Sequence, residues 1–128
     1  MNRYDPEITP DPAEWLALDE QERMSLVEKY HKASRIKLPN HAAHATIHTV
    51  VENQIAEGLE PTLRALDRLQ KEGLPRHDAL HSIGCVVTDH MHELMKSKPK
   101  ETPEALQARF DARLERLTRK AWIEEFGS

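Results

Sequence analysis

Between residues 40 and 54 the chain reads NHAAHATIHTVVENQ, and between 76 and 85 it reads RHDALHSIGC. Each stretch carries two histidines four apart, His44 and His48 in the first and His77 and His81 in the second. Side chains at i and i+4 are neighbours on a helix, so each pair offers two imidazole nitrogens to one ion without bending the backbone. Two such pairs on facing helices would make a four-ligand site. Glu52, one turn beyond His48, could replace one imidazole or act as general base toward a metal-bound water. Imidazole with carboxylate suits zinc, iron, nickel or copper and argues against calcium and magnesium. Zinc is the default ion and iron the next. The opposing reading is that a histidine at a core boundary is tolerated because its body is apolar and its tip is easily hydrogen-bonded. His41, His90 and His92 read as surface or supporting residues, and Cys85 reads as a small core residue.

The elements that must hold these side chains follow from the chain's breakers. Pro and Gly fall at PEITPDP, KLPN, EGLEP, EGLP and KPKETP, and the segments between them carry helical rather than alternating periodicity. Asp11, Pro12 and Glu14 match the cap, first-turn proline and capping-box positions of a short first helix, and Asp19 with Glu22 repeats the device for a second. That second helix presents Leu26, Val27 and Tyr30 and fades before Pro39. A third starts at Asn40 as its cap and ends at Gly58. A fourth runs from Pro61 to Gly73 with Leu63, Leu66 and Leu69 as its apolar edge, and a fifth runs from Pro75 to Lys96. Thr102 and Pro103 open a long last helix that closes with AWIEEF. At about 100° per residue, His41, His44, His48 and Glu52 share one arc beside Ile47, Val51 and Ile55, and His77, His81, Cys85, Thr88 and His92 share another beside Leu80, Ile83 and Val87. Short connections make successive helices antiparallel, which sets the fifth parallel to the third. Gly84, beside His81, reads as a point of close helix approach.

The expected fold is all-α, a bundle of five to six helices. Its 128 residues suffice for one domain. Residues 1–10 read as an N-terminal extension, 11–97 as the His-rich bundle, and 98–128 as a linker with an amphipathic helix that packs on the bundle or on a second protomer. With 38% hydrophobic residues, 31% charged and a formal charge of −4, the chain has no basic footprint for nucleic acid. No apolar run approaches the ~20 residues of a membrane span and the first residues lack a signal-peptide pattern, so a cytoplasmic location is expected. A single cysteine excludes an intrachain disulfide and thiolate-rich zinc sites. Trp122, Ile123 and Phe126 at the chain's end favour a homodimer through the last helix, with folding back on the bundle as the alternative.

The segment HATIHTVVENQIAEG, followed by RHDALHSIG, resembles a bacterial family of small all-helical proteins catalogued as a domain of unknown function, and EWLALDEQERMSLVEKYH is similar to its amino-terminal part. The resemblance covers residues 10 to 95. It implies that His44, His48 and Glu52 belong with His77 and His81, and it implies no particular activity. Three functions fit the residues: an open metal site for hydrolysis or hydration; an iron site for oxygen chemistry, in which Glu28-x-x-His31 and Asp78-x-x-His81 would match di-iron spacing; and a non-catalytic interaction or dimerisation module with a structural metal or none.

Overall fold

Local capping sets the helices where the sequence places them. Asp11 accepts from the Glu14 amide at 3.1 Å and starts α1 (Pro12–Ala17), with Pro12 in its first turn. Asp19 and Glu22 form a reciprocal box, the Glu22 amide donating to Asp19 at 2.8 Å and the Asp19 amide to Glu22 at 3.2 Å. This box opens α2 (Glu20–Ala33). There follow α3 (His41–Ala56), α4 (Glu60–Lys71), α5 (Arg76–Lys96), α6 (Pro103–Arg116) and α7 (Arg119–Phe126). The computed structural model describes residues 1–33, 41–96 and 101–126, and these are all-α with no strand. The expected Asn40 cap lies outside the described residues. Gly58 and Gly73 take φ of +75° and +100°, the left-handed backbone that turns the chain at each end of α4.

Two elements differ from expectation. The long last helix is two helices, giving seven in all among the described residues: Leu117 is extended (φ −71°, ψ 124°), and the Thr118 hydroxyl caps the Ala121 amide at 3.0 Å. Side chains at the end of α4 hold this break open. Arg68 donates to the Leu114 and Leu117 carbonyls at 2.7 and 2.8 Å, and Glu72 accepts from the Arg119 amide at 2.9 Å. Carbonyls and an amide orphaned by the break therefore have partners, while Leu114 and Leu117 stay in the core and Trp122 packs against it.

The second difference is direction. His44 pairs with His81, His48 stacks on His77, and Glu52 meets Arg76, an opposite order along the two helices. The third and fifth helices are thus antiparallel at the site, because α4 packs chiefly on α5 and α6 instead of returning along α3. An i,i+4 pair looks alike from either end, so the reversal still brings the same four histidines together.

The core has two parts. The larger joins Val51 and Ile55 of α3, Ala65, Leu66 and Leu69 of α4, Leu80, Ile83 and Val87 of α5, and Phe110 and Leu114 of α6. Leu63, expected on the apolar edge of α4, is 37% exposed; Ala65 takes the inward place. The smaller part joins Tyr4, Trp15, Leu26, Val27 and Ala45. Residues 1–10, set apart in the sequence as an extension, are packed into the bundle through Tyr4 and Pro6. At Gly84, an added Cβ would stand 3.0 Å from Ile47 Cγ2, so α3 and α5 approach closely one turn from the histidines. No helix of the described residues is long and apolar enough to cross a membrane.

Candidate metal centre

His44 and His48 come from α3, His77 and His81 from α5, and α2 supplies a fifth imidazole, His31, which is 1% exposed. One nitrogen from each of these five residues lies within 4.8 Å of all the others, a group able to hold a metal ion. In the sequence His31 stands out only within Glu28-x-x-His31. The stronger signal was its place four residues after Val27, on the stripe that α2 buries.

Hydrogen bonds at His31 and His48 fix which of their nitrogens carries the proton. His31 Nδ1 is 2.8 Å from the Val27 carbonyl. A carbonyl only accepts, so Nδ1 carries the proton and Nε2 presents a lone pair. The Tyr4 hydroxyl donates to Glu52 Oε2, and its oxygen lies 2.9 Å from His48 Nε2. With its O–H donated to Glu52, the Tyr4 oxygen accepts a hydrogen bond from His48 Nε2–H, which leaves His48 Nδ1 as a lone pair. That atom is buried and has no hydrogen-bond partner, and neither has His77 Nε2. His44 Nε2 stands 3.0 Å from both His31 Nε2 and His81 Nε2. A single proton on His44 cannot serve both neighbours well, whereas a cation among them serves all of them.

Behind Tyr4 lies a buried ion pair. Arg76 donates from Nη2 to Glu52 Oε1 and from Nη1 to Glu52 Oε2, each at 2.8 Å, and Nη1 also reaches the Pro6 carbonyl at 2.9 Å. Tyr4, Glu52 and Arg76 are 2%, 1% and 4% exposed. A bidentate, fully desolvated pair of this kind has little freedom to reorient. Burial, and then the neighbouring Glu52 charge, push the Tyr4 phenol far above its ordinary range. Burial works against the Arg76 charge, but the hydrogen bond and charge of Glu52 outweigh it and hold the guanidinium pKa up.

The imidazoles are shifted the other way. Burial first, then the proximity of the other rings, lowers the pKa of His48 and His81, the latter to about 3, and burial with His31 lowers that of His77. At neutral pH these three rings are uncharged, the state in which imidazole is a metal ligand.

Not every candidate joins the cluster. Glu52 contributes no atom to it, and both its oxygens face Arg76. Glu28 and Asp78 also contribute none, so the group is all-imidazole and lacks the carboxylates of a di-iron centre. His90 lies on Phe110 with ring centroids 5.0 Å apart, and His92 is exposed. The side chain of His41 lies outside the described residues. Cys85 is half-buried and adds no ligand, its thiol pushed up by burial.

On one side the cluster opens to space. His44, His48 and His81 form part of the wall of a cleft of about 570 Å³ between α3, α5 and α7. No family model, curated protein or solved structure matches this chain.

Proposed function

We propose that the five histidines bind one divalent transition-metal ion and leave a coordination position open toward the cleft, so that the protein is a metal-dependent binding or catalytic protein rather than one with a closed structural clamp. One observation supports the reading: a nitrogen from each of five imidazoles lies within 4.8 Å of all the others, while Val27 and Tyr4 each engage one nitrogen of His31 and His48 and leave the second as a lone pair. Two donors 3.0 Å apart, each about 2.1 Å from a common ion, subtend about 90°. Tetrahedral ligands at that bond length would stand about 3.4 Å apart. Shifts of a few tenths of an ångström separate the two spacings, so the group accommodates zinc as well as iron(II), nickel or cobalt. Trans nitrogens would stand about 4.2 Å apart, so a cluster spanning 4.8 Å closes on an ion with shifts of a few tenths of an ångström.

The bound ion would supply Lewis acidity and, for water in the open position, a pKa lowered toward about 7. Glu52 is a positioning residue in this scheme, acting through Tyr4 on His48. Iron would bring the oxygen chemistry considered above, at a single ion; zinc would bring hydrolysis.

The test is elemental analysis of protein purified without an affinity tag or added metal, followed by uptake of iron(II), nickel and zinc under matched conditions. About one ion per chain, with helicity retained on chelation, is the expected result. No ion after supply of all three would overturn the reading, and helix loss on chelation would replace the open site with a structural clamp.

A further inference from the structure

The cleft beside the histidines has a lining that selects among ligands. His44, His48 and His81 line it together with Ala43, Ile47, Leu80 and Trp122 of α7. Gly84 also lines the space, where α5 passes close to Ile47 of α3. Among the described residues, no lysine or arginine lines the cleft. Its one carboxylate, Asp89, is paired with Arg113. A phosphate or carboxylate group would find no cation here apart from the metal. Its volume, about 570 Å³, is that of a site for a small organic molecule rather than for water or dioxygen alone.

Building on the metal reading above, we propose that this cleft binds a small, uncharged, largely apolar organic molecule that occupies the open metal position through one neutral donor atom. The apolar body lies between Ile47, Leu80 and Trp122, where its burial contributes roughly 25 cal/mol per Å². The donor faces His44, His48 and His81. Thr88 and His92 offer polar contacts elsewhere along the wall and admit a hydroxyl or amide on the body of the ligand.

Cobalt(II)-loaded protein, whose visible bands report on the open position, tests this with three probes: imidazole, 4-phenylimidazole and phenyl phosphate. Cobalt content is measured first. With about one cobalt per chain, 4-phenylimidazole should bind at least tenfold more tightly than imidazole, and phenyl phosphate should bind more weakly than 4-phenylimidazole. Trp122→Ala should shrink the tenfold preference to threefold or less with cobalt content unchanged. Equal affinity for the two imidazoles, or a preference for phenyl phosphate, in cobalt-loaded wild-type protein would overturn the cleft proposal and leave the metal centre standing. Absence of bound cobalt would overturn the metal reading and this inference with it. The wild-type comparison decides the matter even if the Trp122 variant does not fold.

Discussion

Tyr4 and His48, 44 residues apart in the chain, share a buried hydrogen bond of 2.9 Å in which the phenol oxygen accepts from imidazole Nε2. The bond is directional because the phenol proton is already committed to Glu52. Outer partners of metal-bound histidines hold the tautomer and the ring angle, and their removal costs about 10–100-fold in metal affinity. Tyr4→Phe should therefore weaken metal binding by about that factor in a chelator competition, with the helical circular dichroism unchanged. Unaltered affinity would show that His48 is oriented by packing alone.

His31 separates a four-ligand from a five-ligand centre. Its nitrogen lies 3.0 Å from that of His44 and its ring is buried, so His31→Ala removes a ligand and should weaken metal binding more than Tyr4→Phe does. His48→Ala with His81→Ala should abolish stoichiometric binding. His92→Ala, on an exposed ring outside the cluster, should change affinity less than twofold. Equal losses from His31→Ala and His92→Ala would return the centre to four ligands.

Acid should act on the metal-free fold with a definite sign. His48, His77 and His81 have folded-state pKa values below the usual 6.5, His81 at about 3. Below pH 6.5 the unfolded chain binds protons that the folded chain refuses, so their contribution is intact above pH 6.5 and is lost as the pH falls toward 3. Each proton of difference is worth about 1.4 kcal/mol per pH unit, and partial exposure of His77 and His81 reduces the total. The urea midpoint of metal-free protein should drop between pH 7.5 and pH 5.5, and it should drop less in a variant with His48 and His81 replaced by Gln. A flat profile would contradict the burial of neutral rings.

The Arg76–Glu52 pair should be costly to break on one side only. Arg76→Ala strands a carboxylate that is 1% exposed, a change expected to cost about 3–5 kcal/mol by chemical denaturation. Adding Glu52→Gln to Arg76→Met should recover part of that loss. If Arg76→Ala proves no worse than an exposed pair such as Arg64 with Glu115, the pair is solvated in solution.

The helices and four of the five imidazoles were legible because the information is local: caps at Asp11, Asp19 and Thr102, glycine stops at Gly58 and Gly73, and i,i+4 spacing on α3 and α5. The close approach at Gly84 was also readable from its place beside His81. What escaped depends on contacts distant in sequence. The break at Leu117 is held by Arg68 of α4 and by Glu72 just after it, so the three- and four-residue apolar spacing through Leu106, Phe110, Leu114 and Leu117 gave no warning of it. The direction of α5 depends on how α4 crosses its neighbours, which loop lengths alone do not encode. Glu52, aligned with the histidines on one helical face, was readable as a ligand until Arg76 and Tyr4 were seen to engage it from other segments.

Pro6 and Glu7 each meet α5 at a separation of 70 residues, Pro6 through Arg76 and Glu7 through the His77 amide. Such contacts close late, after the nearby helices have formed. During folding, residues 4–7 and the segment through Arg76 must both be in place before Tyr4 can hold the His48 ring. Until that contact closes the histidines stand without a finished pocket, so on the metal reading above ion uptake would follow the docking of residues 4–7, and a fusion that tethers those residues would interfere with it while sparing the helices.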